Sequence, residues 1–523
     1  MLNRDATDSV NPSARRLLTI GAMLMGLQLT GCANKSANGE PSIPTAFTWH
    51  RSTPEEQGVD STRLEALMTD IAAGDYGVHS LLLVRHGKIV LDANFYPYDG
   101  VRSHDIASCT KSLTSLAVGV ALSQGEIASV DDTLAAHLQG QTLDDPHKGA
   151  ITLDNLLTMR SGLSCDSDPA TLMSMTSAPD WIGYALGLPL TSLPGTTWQY
   201  CGADTHLLSG VVTTATGLAE DELLQRTVFS PLGIQQPIWP RDPQGVSHGW
   251  GDARFQADDL ARLGLLLLQK GEWNGAQLVD PDWLDRATRD RVGSSGPPDG
   301  YGYLWWPMKN GFKASGRGGQ FLYVLPSADV VIVTTGSASP AQLLAQAPLQ
   351  TDLVSSIGAE ASLPANPSAV ARLQSLIDAA QKPPAPSRVS ELPSASSWVS
   401  DQTFQLADNF LGWTALTLTF DETEAQLHVV VDGTEARAAI GLDGVPRITR
   451  GISRFGADSR YVDLDIALVG RWRDDTTFEV TFDTIDRIDA GTMRFDFAGG
   501  GLQVTIHERT YLDTDIAFGG VKG

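Results

Sequence analysis

Residues 103–124 read SHDIASCTKSLTSLAVGVALSQ, and after Lys111 the run carries no charged side chain. Leu113, Leu116, Val118, Val120 and Leu122 leave little polar face, so the pattern predicts a buried helix over 108–124. Gly125 is placed to cap its C-terminus. The chain has nine lysines, at 35, 88, 111, 148, 270, 309, 313, 382 and 522, and only Lys111 has a serine three residues earlier. Residues three apart share a helix face. Ser108 opens the helix, where the positive end of the dipole favours developing oxyanion charge. A lysine acts as a base only when unprotonated, and apolar surroundings disfavour the charged form. Ser108 and Lys111 therefore read as a nucleophile and its proton acceptor. The spacing alone is weak, because most such pairs lie on solvated helix surface.

The text on either side sets the fold. A helix is expected over Ser61–Ala73. Ser80-Leu-Leu-Leu-Val and Ile89-Val-Leu, joined by His86-Gly87-Lys88, read as a β-hairpin. Residues 130–290 are mostly helix and loop, with an apolar-periodic helix over Asp258–Lys270. Sheet signals return at Tyr301–Trp306. Phe321-Leu-Tyr-Val-Leu and Val330-Val-Ile-Val-Thr-Thr then form a second hairpin across Pro326–Asp329. Strands at both ends of a helical middle predict an α+β fold: one antiparallel sheet flanked by helices, with a helical subdomain inserted. Past Lys382-Pro-Pro-Ala-Pro-Ser the text alternates polar and apolar, as in Leu416-Thr-Leu-Thr-Phe and Leu502-Gln-Val-Thr-Ile, which predicts an all-β barrel or sandwich.

The chain has 523 residues, enough for two or three domains at roughly 100–200 residues each. Its net charge of −24 argues against nucleic acid, which needs a basic face to displace counterions. At the N-terminus, Arg15 and Arg16 precede the apolar run Leu17–Leu29, which reads as a secretory signal. The run is short for a membrane span, and no later segment reaches that length. It ends in Leu29-Thr-Gly-Cys32, which resembles the bacterial lipobox and predicts lipidation of Cys32; an ordinary signal cut elsewhere is the alternative. The paired arginines leave both general and twin-arginine export open. Cys109, Cys165 and Cys201 remain, in a compartment that permits disulfides. Cys165–Cys201 is the pairing expected, because Cys109 falls in the buried helix; three free thiols is the alternative. The expected organisation is a signal over 1–32, a tether over 33–46, a hydrolase domain over 47–360, a Pro/Ser-rich linker over 361–398 and an all-β accessory domain over 399–523.

Ser103–Leu122 and Ile151–Leu163 together resemble the serine β-lactamase-like and penicillin-binding-protein-like hydrolases. The closest likeness is to the branch holding class C β-lactamases, small-ester esterases and 6-aminohexanoate-dimer hydrolases. Pro194–Tyr200, Pro231-Leu-Gly-Ile, Asp259–Leu265, Gly271–Gln277, Tyr301–Trp306 and Gly316–Gln320 agree in collinear order, over about residues 48–340. The resemblance implies that Ser108 is acylated, that Lys111 is its base and that Tyr200 relays a proton to the leaving group. It places the substrate-side strand at Ser315 and Gly316, and the oxyanion hole at the backbone N–H groups of Ser108 and Arg317. It implies no cofactor, and a small ester, amide or peptide as the substrate. The N-terminal signal and its lipobox-like ending favour an exported, periplasmic, lipid-anchored protein. Ala33 after Cys32 carries no aspartate-type retention signal, so the outer membrane is preferred. Oligomeric state is left open.

Two departures matter. Tyr200-Cys-Gly lacks the asparagine of the second motif, and Ala314 stands where the third has Lys or His. In β-lactamases and D,D-peptidases those groups help hold the substrate amide and carboxylate, so an esterase or amidase fits better than a β-lactamase. A D-amino-acid peptidase and a non-catalytic lipoprotein binding cell-wall peptide are the other readings. Lys313 is one residue off the motif and reads as surface lysine, since a strand places neighbours on opposite faces. His206 reads as structural, and His104 and Asp105 as shapers of the loop before Ser108. Gly245-Val-Ser-His-Gly249 matches a nucleophile-elbow pattern, but the elbow needs a strand before it and a helix after it. The flanking text reads as loop, so Ser247 is expected to be a surface-loop serine. Ten histidines without His-x-x-x-His spacing or clustered cysteines predict no metal site.

Overall fold

The structure, a computed structural model, describes residues 47–523 apart from 139, 142, 144, 166–167, 457–461 and 511–513. The expected signal, tether and Cys32 lie outside the described residues. Seven strands form the first sheet: β1 (His50–Arg51), β2 (Val78–Arg85), β3 (Lys88–Asn94), β4 (Trp306–Met308), β5 (Gly311–Gly316), β6 (Gln320–Leu325) and β7 (Val330–Gly336). Their order is β1-β3-β2-β7-β6-β5-β4. The two hairpins therefore meet in the middle, where Leu83 of β2 pairs with Ile332 of β7. The sheet is mixed rather than wholly antiparallel, because the short edge strand β1 runs parallel to β3.

Both faces of this sheet are covered. Leu82, Leu322, Val324 and Val331 join the core that holds the Ser108 helix. Their neighbours Leu83, Phe321, Tyr323 and Ile332 join a second core on the opposite face. Helix Ser61–Ala73 packs there through Leu64, Leu67, Met68 and Ile71, the stripe of an amphipathic helix. Asp60 caps it, accepting from the Thr62 N–H at 2.9 Å. The predicted buried helix is Cys109–Ser123, inside the helical region between β3 and β4. Among the described residues no helix is long and apolar enough to cross a membrane.

Two expectations need correction. The stretch 361–398 is not linker throughout. Pro367–Ala380 is a helix whose Leu373 and Ile377 complete the second core, and Arg372 Nε donates to Glu65 Oε1 at 2.8 Å. Alanine and leucine dominate that segment, and its apolar face outweighs the flanking prolines. Of Tyr301–Trp306, only Trp306 enters a strand; Tyr301, Tyr303 and Trp305 are buried in the loop before it. Their bulk fills the core without a ladder.

The C-terminal region is a barrel. Ten strands between Gln402 and Lys522 form one sheet, and Gly441 bridges Val469 so that it closes on itself. The inward faces carry Trp413, Leu416, Leu418, Leu427 and Val429. The turn 485–489 presses against the segment that precedes Ser108. The Asp105 N–H donates to the Asp486 carbonyl at 3.1 Å, and Ile485 packs on Tyr98.

Candidate active site

Ser108 stands immediately before helix Cys109–Ser123. Ala107 before it has φ +46°, a left-handed conformation that costs an alanine on the order of 1–3 kcal/mol. Three hydrogen bonds hold it there. Its N–H donates to Asp105 Oδ1 at 2.7 Å. Its carbonyl accepts from the Thr110 hydroxyl at 2.7 Å and from the Thr110 N–H at 3.1 Å. Burial, then the charge of Asp252, pushes the Asp105 carboxyl up to about 6. His104, at the start of the loop, donates or accepts against His79 at 2.8 Å, and burial pushes its ring down to about 3. Both residues shape the loop, as the sequence indicates.

Lys111 is buried one turn further on. Its Nζ donates to Ser108 Oγ at 3.0 Å and to the Trp250 carbonyl at 2.9 Å. Nζ also lies 4.7 Å from the centre of the Tyr200 ring. Tyr200 is positioned from both sides. The Gln199 N–H donates to the Met159 carbonyl at 2.9 Å, and Cys201 is joined to Cys165 by a disulfide. Cys109 is a free, buried thiol. Trp306 stacks on Tyr200 with ring centres 6.4 Å apart.

Strand β5 closes the site. A Cβ on Gly316 would lie 2.6 Å from the Ile106 carbonyl and 3.0 Å from the Ala107 Cβ. The strand approaches the Ser108 loop this closely only because Gly316 has no side chain. Ser108, Lys111, Tyr200, Ser315, Gly316 and Arg317 all line one cleft of about 770 Å³. That arrangement sets a hydroxyl against an amine, at the positive end of a helix, beside a phenol. Such an arrangement can support acyl transfer through a covalent intermediate.

Several neighbours were not singled out in the sequence. Trp250 supplies the carbonyl that fixes Lys111, and His248, Asp252, Met173 and Ile488 also line the cleft. The clue to Trp250 lay in Trp250-Gly-Asp after the Gly-x-Ser-x-Gly match, which read as plain loop. His206 is buried behind Trp250, 3.1 Å from Asp242 Oδ2, and burial lowers its ring pKa. Ser247 is not on the surface. It is wholly buried and donates to Asp221 Oδ1 at 2.8 Å, because the loop is covered by Gly202–Thr216. Lys313 is likewise not a free surface lysine. It lies 5.2 and 5.6 Å from the ring centres of Phe321 and Tyr323, on the sheet face away from Ala314, and burial lowers its pKa.

Fold and sequence family together define a serine hydrolase. The chain belongs to the Beta-lactamase family, whose sequence profile matches residues 64–353. It is 27% identical to the 6-aminohexanoate-dimer hydrolase of Paenarthrobacter ureafaciens over 334 residues, which is 56% of this chain and 82% of that protein. A solved Bacillus anthracis structure named for the same dimer hydrolase superposes with a TM-score of 0.51 at 21% identity, covering 61% of this chain and 88% of its own; it shows the shared fold. The octameric penicillin-binding protein homologue from Pyrococcus abyssi covers 87% of this chain and 99% of its own, at 15% identity and a TM-score of 0.46.

Proposed function

We propose that the protein hydrolyses small esters or amides through an acyl-enzyme on Ser108. The observation that carries this reading is the 3.0 Å contact between Lys111 Nζ and Ser108 Oγ at the head of a buried helix. Unprotonated Lys111 takes the hydroxyl proton as Oγ attacks the substrate carbonyl. The backbone N–H groups of Ser108 and Arg317 hold the oxyanion; one such donor is worth roughly 10²–10³ in turnover. Tyr200, held over Lys111, passes the proton to the leaving group. A water then attacks the acyl ester and releases Ser108. Ala314 and Gly202 supply neither the cation nor the amide of the β-lactam-selective motifs, which favours a neutral substrate. A relative named for a 6-aminohexanoate dimer supports an amide among the substrates.

A fluorophosphonate probe is expected to label Ser108, read by mass spectrometry of the digested protein. Ser108→Ala should lose both the label and turnover on p-nitrophenyl esters. Turnover that persists in this variant would sink the reading.

We further propose export and lipid anchoring at Cys32, supported by the lipobox-like Leu29–Cys32 and by a disulfide suited to an oxidising compartment. Cys32→Ser should move the protein from the membrane to the soluble fraction. Equal partition of the two forms would remove the anchor.

A further inference from the structure

The barrel holds a cavity of about 130 Å³ whose walls are mostly apolar, among them Trp413, Ile466, Met493 and Ile506, with Thr484, Asp489 and Glu508 as its polar members. An apolar cavity of about this size, roughly 150 Å³ in an engineered protein, stays dry and binds benzene. Barrels of about eight strands are just wide enough for side chains to fill or to hold one small ligand, and nine strands close this one.

The cavity adjoins the catalytic cleft. Met173 lines both spaces. Ile488 lines the cleft while its neighbour Asp489 lines the barrel cavity, so one turn of chain divides them. Arg317 stands at the same junction: its guanidinium lies 3.6 Å from Asp489 Oδ1 and donates to the Thr510 hydroxyl. The junction is rimmed by exposed apolar side chains, Met173 at 53% and Phe410 at 46%.

We infer that the barrel interior is an apolar subsite of the cleft, filled by a phenyl ring or a branched alkyl end of similar bulk on the substrate's acyl chain. This rests on the proposed acyl transfer at Ser108 for its link to turnover, though not for binding. The acyl carbonyl sits at Ser108, and the chain passes Met173 and the Arg317–Asp489 pair.

The full-length protein is tested on p-nitrophenyl esters of straight-chain acids and of their phenyl-terminated counterparts, over a ladder of chain lengths. The phenyl-terminated series should be preferred in kcat/KM by at least about tenfold at one length, since burying an aromatic ring stabilises by more than the energy of one decade. Ile506→Trp fills the cavity and should abolish that preference. If Ile506→Trp loses both series, Met493→Trp on the adjacent strand decides. No preference at any length, or equal loss of both series in both variants, overturns the inference. Titration of 6-phenylhexanoate into Ser108→Ala, followed by calorimetry, separates the two proposals. Binding abolished by Ile506→Trp, in a protein without ester turnover, keeps the subsite and removes the catalytic reading. Turnover with neither preference nor binding removes the subsite alone.

Discussion

In β2 the successive residues Leu81, Leu82, Leu83 and Val84 are all buried, and they alternate between two separate cores. In the barrel strand Glu424–Val431 burial itself alternates: Ala425, Leu427, Val429 and Val431 face inward, while Gln426 lies on the outer face in water. The first sheet is clamped between helical layers; the second has one wet face and one lumen. This difference places the chemistry. The clamped sheet fixes β5 against the Ser108 loop, whereas the barrel has room inside it and adjoins the cleft at Met173.

The sharpest way to separate the two regions is through turnover. Ser108→Ala should reduce ester hydrolysis by about 10⁴–10⁶-fold with unchanged thermal unfolding, whereas Leu427→Ala should leave kcat within about twofold. A large kcat loss from the barrel variant would break the division.

Stability is the next test. Leu82→Ala and Leu83→Ala are neighbours, yet each should cost about 2–5 kcal/mol because each empties a packed core. In the barrel, Leu427→Ala should cost as much, but Gln426→Ala should stay within about 0.5 kcal/mol. Urea unfolding of the four variants checks the contrast; a cheap Leu82 or Leu83 variant would mean one face of the sheet is loosely packed.

The contact of sheet and loop is tested at Gly316. A side chain there meets the Ile106 carbonyl, so Gly316→Val should lower kcat about 10²-fold through displaced oxyanion donors, with KM little changed. Wild-type kcat in this variant would mean that the loop moves aside freely.

The last test concerns Glu220, buried behind the Ser108 helix with its carboxyl accepting from the Thr114 hydroxyl at 3.0 Å. Burial pushes this carboxyl up to about 8 from its ordinary 4.5. Between those values the folded protein holds a proton that the unfolded chain has released, so stability falls as pH rises through the window. Glu220→Gln should flatten that fall, read as urea midpoints at about pH 5 and pH 8. Equal slopes in the two proteins would show that Glu220 is ionised in the fold.

The same contrast explains what the sequence discloses. Barrel strands were legible from period-two alternation. The strands of the clamped sheet show no period, and they were legible from β-branched and leucine runs bounded by turn text such as His86-Gly87 and Pro326–Asp329. Ser108, Lys111, Tyr200 and Gly316 were found because side chains or a missing side chain define them. Trp250 was not, since its part is played by a carbonyl that every residue carries. Helix Pro367–Ala380 was hidden by prolines on either side. Met173 and Ile488 reach the cleft from distant segments, and no local spacing marks either of them.

The meeting of β2 with β7 bears on how the chain is made. β2 is apolar toward both cores, and the edge that receives β7 stays bare until nearly all of the hydrolase region has been synthesised. An unpaired apolar strand is a template for association with other chains, and long-range pairings of this kind form slowly. The nascent protein therefore needs a holding factor, or dilution, until residue 336 is available. Yield on refolding should fall with protein concentration before it falls with temperature.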